Sequence, residues 1–376
     1  MEKGKPIVIA QIMGKWIGGG VESVVMNYYR HIDRTKIQFD FICDEDSTNI
    51  PYDEIEKLGG RVIIVPPYQH IFAYLNKLKH IFKENKYKIV HSHINALSVF
   101  PLYAAKCAGV PVRIAHSHAT SSKKEWKRNL IKNILRIFSK VNATDYMCCS
   151  ELAGRWLFGD RLYDNGKVYL LNNAVNLEKF EFNEDVRKNI RKNLSIDNDK
   201  IVVGHVGRMV ETKNHSFLFK VFKKFAENEN SFMILVGQGG LENQLKKLAN
   251  QMKIDDKVIF LGQKENVNQI YQAFDVFVLP SFYEGFGMVL LEAQMSNLPC
   301  VVSDTVPKNA KVIENFIFLS IEDEIEKWSS TIANMVKKSA RKSNFDLLEK
   351  KGFNIKKEVK KLEKIYLNFY EEYKNA

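Results

Sequence analysis

The sequence predicts an α/β protein built as two Rossmann-like, doubly wound domains, each a parallel sheet with helices on both faces. Three observations predict it. A length of 376 residues suits two domains at about 100–200 residues each. Short β-rich runs alternate with helical patterns of about 10–20 residues through the first half. The same alternation restarts after a charged, apolar-poor segment at 183–200.

In the first domain, residues 1–183, the strand runs are 6–12, 39–43, 61–65, 88–91, 112–116, 145–149 and 167–171, with helical spacing between them at 21–32, 71–83 and 129–139. In the second, residues 184–353, they are 201–206, 232–236, 258–261, 276–279, 300–302 and 316–319. Residues 354–376 close the chain with an amphipathic helix. Its apolar face, Val359, Leu362, Ile365, Tyr366, Phe369 and Tyr370, needs a surface to cover, and the first domain is expected to supply it. The 45% apolar and 11% aromatic composition is enough for two cores and excludes global disorder.

The net charge of +12 is unevenly spread: residues 1–179 carry 26 basic and 17 acidic side chains, a balance of +9. Much of it lies in 123–140, where Lys123, Lys124, Lys127, Arg128, Lys132, Arg136 and Lys140 face only Glu125, and Trp126, Leu130, Ile134 and Phe138 form a partial apolar face. Such a helix either packs on its own sheet with a solvated basic rim or lies in an anionic lipid interface. No stretch is long and apolar enough to span a membrane, and the N-terminus lacks a signal-peptide cleavage region. The five cysteines are odd in number, widely spread and free of CxxC spacing, which favours reduced packing residues in a cytosolic protein.

In open parallel sheets ligands bind beyond the strand carboxyl ends, so the chemistry is sought there. After the run 276–279 comes SFYEGFGMVLLE. Gly285-Phe286-Gly287 turn the chain into a helix starting near Met288, whose exposed N–H groups suit phosphate oxygens, and Glu292 lies about one turn in, where it can accept from sugar or ribose hydroxyls. After 201–206, GRMVETKN offers Arg208 as a planar fork and Lys213 as a point charge, a pair suited to a diphosphate. After the first strand, Gly18, Gly19 and Gly20 let a ligand approach the backbone at a helix start. Neither this loop nor the GQGGLE string at 237–242 is GxGxxG, and no Walker A string occurs, so a nicotinamide dehydrogenase and a P-loop enzyme are unsupported.

Two H-x-H strings, His91-Ser92-His93 and His116-Ser117-His118, end neighbouring strand runs. Alternate residues share a face, so four imidazoles can gather at one place. Substrate contact and plain packing both stay open. No metal is expected, because no Asp, Glu or Cys lies at matching spacing.

On these motifs the chain resembles a retaining GT-B glycosyltransferase of the large family four (group 1) type, and most resembles its bacterial capsular and exopolysaccharide members. The resemblance runs from the first glycine loop to about Ser303. It implies two domains facing a cleft, the first holding the acceptor and the second a nucleotide-sugar, with UDP the favoured nucleotide. It further implies that Arg208 and Lys213 grip the diphosphate, that Glu284 and the backbone of Phe286, Gly287 and Met288 hold the sugar and phosphate, and that Glu292 binds ribose. Gly18–Gly20 would approach the diphosphate from the opposite wall. The family's first-domain histidine falls at His118, with His116 open.

The chain departs from the family pattern at Asn173-Ala174-Val175-Asn176 and after Ser303, where it reads Asp304-Thr305-Val306-Pro307-Lys308. The implied activity is retaining hexosyl transfer from a UDP-sugar to a lipid-linked saccharide, without a cofactor. The implied location is cytoplasmic, peripheral on the inner face of the plasma membrane through 123–140, with no nucleic acid as partner. The alternatives are a nucleotide-sugar epimerase of the same fold and a basic membrane or nucleic-acid binding protein with an inactive site.

Overall fold

The β-rich runs form parallel strands in two sheets of a computed structural model that describes residues 5–118, 135–284, 287–338 and 341–375. One unit comprises Met1–Val175 with Gly352–Ala376, the other Asn176–Lys351.

The first unit holds β1 (Ile7–Gly14), β2 (Ile37–Asp44), β3 (Arg61–Val65), β4 (Ile89–Ser92), β5 (Val112–Ser117), β6 (Asp145–Cys148) and β7 (Val168–Leu170), in the order β3-β2-β1-β4-β5-β6-β7. Its central strands are buried on both faces, as parallel strands under two helical layers must be. The Ile71–Glu84 helix covers one face with Tyr74, Leu78, Ile81 and Phe82, spaced to share one side of a helix. On the other, Tyr29 of the Gly20–His31 helix stacks on Phe39, and Tyr366 meets Phe39 edge-on. The C-terminal helix, Ile355–Asn375, buries Val359, Leu362, Ile365, Tyr366 and Phe369 within this unit. A bridge from Val175 to Asn354 and a bond from the Asp33 N–H to Glu363 (2.8 Å) tie it down.

The second unit holds β8 (Ile201–Val206), β9 (Ser231–Val236), β10 (Val258–Phe260), β11 (Val276–Leu279), β12 (Cys300–Ser303) and β13 (Phe316–Leu319), in the order β10-β9-β8-β11-β12-β13. Strand ends differ from the sequence expectation by at most two residues. Its core joins Val203, Met233, Leu235, Val278 and Val301 of the sheet to Leu218, Phe219, Phe222 and Trp328 of the covering helices. Gly204 has no room for a side chain, since a Cβ there would lie 2.1 Å from the Phe274 ring.

The division falls at Val175/Asn176, earlier than the junction at 183 that charge patterning suggests. The charged segment folds as the Glu184–Asn193 helix, with Asn183 capping the Asp185 and Val186 N–H groups. Hydrogen bonds dock it in place of apolar packing, which is why its composition looks like a linker. Arg187 donates to the carbonyls of Gln272, Ala273 and Phe274, and Gln272 donates to the Phe180 carbonyl (3.2 Å). Asp275 accepts from Arg187 (2.6 Å), from the fully buried Arg191 (2.5 Å) and from the Val202 N–H (2.7 Å).

Because Asp275 neutralises buried guanidinium charge, Asp275→Ala should cost about 3–5 kcal/mol. A lower urea midpoint with unchanged slope checks this, and Asp275→Asn should recover part of the loss.

Candidate functional site

In the second unit β8 lies between β9 and β11, so the loops after β8 and β11 leave the sheet side by side. The first contains Arg208 and Lys213, the second Glu284. Lys213 Nζ lies 2.5 Å from Glu284 Oε1, and the Ser281 hydroxyl donates to the same oxygen (2.7 Å). The Phe282 N–H joins the two loops by donating to the Thr212 carbonyl (2.9 Å). Asn214, with φ of 54°, then turns the chain into the His215–Ala226 helix. Glu284 is only 9% exposed. Arg208 is exposed, and its guanidinium makes no hydrogen bond or ion pair among the described residues, so it is a free cation beside the Lys213–Glu284 pair.

The GQGG string finds its use here. A Cβ on Gly237 would lie 2.1 Å from the Gly207 carbonyl oxygen, and one on Gly239 would lie 2.3 Å from that of Met209. These glycines let the β9 loop pack backbone to backbone under the Arg208 loop, with Met209 N–H donating to Gln238 (3.0 Å). The segment after Ser303 also contributes: Ser303 and Thr305 both donate to the Ser281 carbonyl (2.6 and 2.7 Å), holding the residue that orients Glu284.

Gly287, at φ of 75°, opens the Met288–Met295 helix. Phe286, expected to contribute a backbone N–H, lies outside the described residues, as does Gly285. Glu292 is pushed up to about 7 by burial. Tyr271 Oη lies 3.1 Å from Glu292 Oε2 and 3.0 Å from the Val289 carbonyl, so a protonated Glu292 can donate to Tyr271 while Tyr271 donates onward.

Two further residues escape the sequence reading. His205 lies wholly buried inside β8, its Nδ1 donating to the Val278 carbonyl (2.9 Å) and its Nε2 unpartnered among the described residues. His215 packs against it with ring centroids 4.8 Å apart and has no partner at either nitrogen among the described residues. Burial, then the neighbouring Lys213, pushes His215 down to about 4. For His205 the available signal was a polar residue in the middle of an apolar strand.

In the first unit Gly18, at φ of 71°, precedes the Gly20–His31 helix. Glu22 folds back within its first turn to accept from the Ile17 N–H (3.1 Å), so a carboxylate already serves this helix start. The two H-x-H strings do meet. His91 Nε2 lies 3.0 Å from His116 Nδ1, and His93 Nδ1 lies 2.9 Å from His118 Nε2. Gln11 Oε1 lies 2.8 Å from His93 Nε2, and Tyr366 Oη 2.6 Å from His91 Nδ1. All four rings are buried, and burial drives each well below the usual imidazole range, with His118 at about 3. His91, His93 and His116 bring nitrogens within 4.8 Å of one another, closer to a metal-ligand set than the spacing suggested. The nitrogens facing each other are joined in hydrogen bonds. The Lys123–Lys140 run lies outside the described residues up to 134.

Two sequence families match the chain. "Glycosyltransferase Family 4" matches residues 18–179 and "Glycosyl transferases group 1" matches 186–351. The chain is 36% identical over 357 residues to the putative glycosyltransferase EpsF of Bacillus subtilis (strain 168), covering 93% of each. It is 28% identical to a UDP-Gal:alpha-D-GlcNAc-diphosphoundecaprenol alpha-1,3-galactosyltransferase of Escherichia coli, covering 96% of this chain and 97% of the other. Among solved structures it is similar to Anabaena Alr3699/HepE in complex with UDP-glucose, with a TM-score of 0.78, 16% identity and coverage of 96% and 99%.

The raised Glu292 carboxyl has a pH signature. A folded-state value near 7 against an ordinary 4.5 means the native state holds this proton more tightly. Its stabilisation is full below about 4.5 and is lost as pH rises through about 7. Relative to Glu292→Gln, the parent protein should therefore lose stability across that window, which chemical denaturation at a series of pH values will read.

Proposed function

The chain belongs to the group 1 glycosyltransferases with a family 4 first domain, and from that premise we propose that it moves a hexosyl group from a UDP-sugar to a lipid-linked saccharide, with retention of configuration, in capsule or exopolysaccharide biosynthesis. The observation that carries this reading is the free Arg208 guanidinium beside the Lys213–Glu284 pair at a strand carboxyl end. Glycosyl transfer loads negative charge onto the departing diphosphate while the sugar becomes oxocarbenium-like. Cations held in place beforehand stabilise that charge without reorganising.

In this proposal Arg208 and Lys213 bind the diphosphate, with the N–H groups at Gly287 and Met288 beside it. Glu284, held by Ser281 and Lys213, orients the sugar, and Glu292 accepts from ribose hydroxyls. Gly18–Gly20 approach the diphosphate, and His118 or His116 meets the sugar. The acceptor hydroxyl attacks on the leaving-group side and its proton passes to the departing phosphate oxygen. Neither a protein base nor a cofactor beyond the donor is then required. The UDP assignment draws on the ligand named for the Anabaena structure, and the lipid-linked acceptor on the substrate named for the Escherichia coli relative.

A peripheral place on the cytoplasmic face of the membrane is part of the proposal. Exposed Ile137, Phe138 and Val141 stand next to Arg136 and Lys140 in the chain, continuing the apolar and basic character of residues 123–134, and exposed Leu152 is on the Glu151–Phe158 helix, whose Trp156 and Phe158 carbonyls accept from Arg136 and Lys140. No helix among the described residues is long and apolar enough to cross a membrane.

A panel of UDP-, GDP- and ADP-sugars scored by hydrolysis, then an acceptor screen with the winner, tests the reaction. Arg208→Ala, Lys213→Ala and Glu284→Ala should each lower turnover about 10²-fold or more. Near-normal turnover in all three, or product from donor alone as an isomerised sugar nucleotide, would replace the transferase reading, and loss of turnover in chelator would refute the cofactor-free one. Reversing Lys123, Lys124, Lys127 and Arg128 to Glu should release the protein from anionic vesicles; unchanged co-sedimentation counts against that contact.

A further inference from the structure

The histidine cluster is one hydrogen-bonded circuit, and its two loose ends have a definite chemistry. Gln11 stands at the branch. Its Nε2 donates to Tyr366 Oη (3.2 Å) and its Oε1 faces His93 Nε2 (2.8 Å). One arm runs through Tyr366 to His91 (2.6 Å) and His116 (3.0 Å), and the other through His93 to His118 (2.9 Å). The arms end at His116 Nε2 and His118 Nδ1, which are buried with no hydrogen-bond partner among the described residues, on rings stacked with centroids 4.0 Å apart.

A neutral imidazole has one donor nitrogen and one acceptor, so the polarity of each arm is set by the group that starts it. With the Gln11 amide as placed, Tyr366 receives a hydrogen and passes its own to His91 Nδ1. His91 Nε2 then donates to His116 Nδ1, leaving His116 Nε2 as a donor. On the other arm Oε1 takes the hydrogen of His93 Nε2, His93 Nδ1 accepts from His118 Nε2, and His118 Nδ1 is left as an acceptor. Turning the amide over reverses every bond: His116 Nε2 becomes the acceptor and His118 Nδ1 the donor. An amide presents one donor face and one acceptor face in either orientation. The two ends are therefore always opposite.

We propose that His116 and His118 form a binding site for one neutral hydroxyl, which accepts from one ring and donates to the other, and that Gln11 and Tyr366 are positioning residues that enforce this polarity. An anion would meet a lone pair at one end and a cation would meet an N–H at the other, so both are disfavoured. The adjoining cavity is lined by these four histidines, Gln11 and Tyr366 together with Tyr28 and the apolar Val24, Val25, Phe39, Leu171 and Leu362, and has about 10 Å³ for a guest, the least room that one water-sized group needs. Burial keeps all four rings neutral, as the circuit requires. The hydroxyl is that of a trapped water or of a bound sugar; the second source rests on the transferase reading above, and the polarity does not.

The circuit makes an all-or-none statement. With one amide orientation all four rings carry the hydrogen on Nε2, and with the other all four carry it on Nδ1. Long-range ¹H–¹⁵N spectra of the full chain labelled at histidine read this directly in the resting protein. The expected result is a single shared tautomer for His91, His93, His116 and His118 at neutral pH. Gln11→Glu offers two acceptor faces in place of one, so it should split the set, with His91 and His116 protonated on Nδ1 and His93 and His118 on Nε2. Tyr366→Phe cuts only one arm, so His91 and His116 should lose their fixed tautomer while His93 and His118 keep theirs.

Mixed tautomers within the unmodified cluster, an imidazolium at neutral pH, or stoichiometric zinc on these nitrogens by elemental analysis would overturn the proposal. Titration with UDP and with UDP-glucose separates the sources. A shift at His116 Nε2 and His118 Nδ1 with UDP-glucose alone supports a sugar hydroxyl, and a cross-peak to a long-lived water, unmoved by either, supports a trapped one. An end in contact with neither overturns the site. If neither nucleotide binds at all, the transferase reading fails while the tautomer pattern is still decided by the resting spectrum.

Discussion

Parallel strands cannot be joined by tight turns, so the chain must cross over a sheet face between each pair. In a doubly wound sheet these crossovers depart in opposite directions from either side of the first strand. That constraint organises both units. β1 lies between β2 and β4, and β8 between β9 and β11, so the loops at the carboxyl ends of neighbouring strands separate there and leave room for side chains to meet. Lys213 and Glu284 are brought together across the β8/β11 gap, and Gln11 and His93 across β1/β4. Register holds these meetings in place. β11 pairs Val276 with Val203 and Phe277 with Gly204, and a slip of one residue would turn His205 out to the other face.

Once sheets are covered on both sides, polar groups near their ends lose water and must be compensated by one another. The molecule does this in three ways. Charged groups pair, as Lys213 with Glu284 and the buried Arg191 with Asp275. Carboxyl groups hold their proton, as burial favours at Glu292. Imidazoles stay neutral and share hydrogens, as in the first-unit circuit and at His205. Arg208 stands apart as a solvated cation, which suits the diphosphate-binding role proposed for it.

The strands were legible because alternation of apolar runs and helical spacing reflects burial directly, and burial is what the finished sheets have. The candidate site was legible where a loop motif carries charged groups, as at Gly207–Lys213 and Ser281–Glu292, whose Lys213 and Glu284 the fold brings together. It was not legible where a role comes from a distant neighbour. Ser303 and Thr305 look like ordinary loop hydroxyls until the fold sets them on the Ser281 carbonyl. The segment at 184–193 looks like a linker because its docking uses guanidinium-to-carbonyl bonds, which leave no apolar signature.

The sequence by itself determined the two-sheet architecture, the strands within two residues, the family, and the cations and carboxylates of the second-unit loops, since each of these is written in local pattern. Only the tertiary structure decided which of those groups pair, where the units divide, and what Gln11 and Tyr366 do. Tyr366 reads as one more apolar-face residue of a terminal helix. Its hydroxyl gains a partner only when that helix, 275 residues along the chain from His91, lies on the same sheet. A hydrogen bond depends on where two atoms meet in space, and sequence spacing does not encode that meeting.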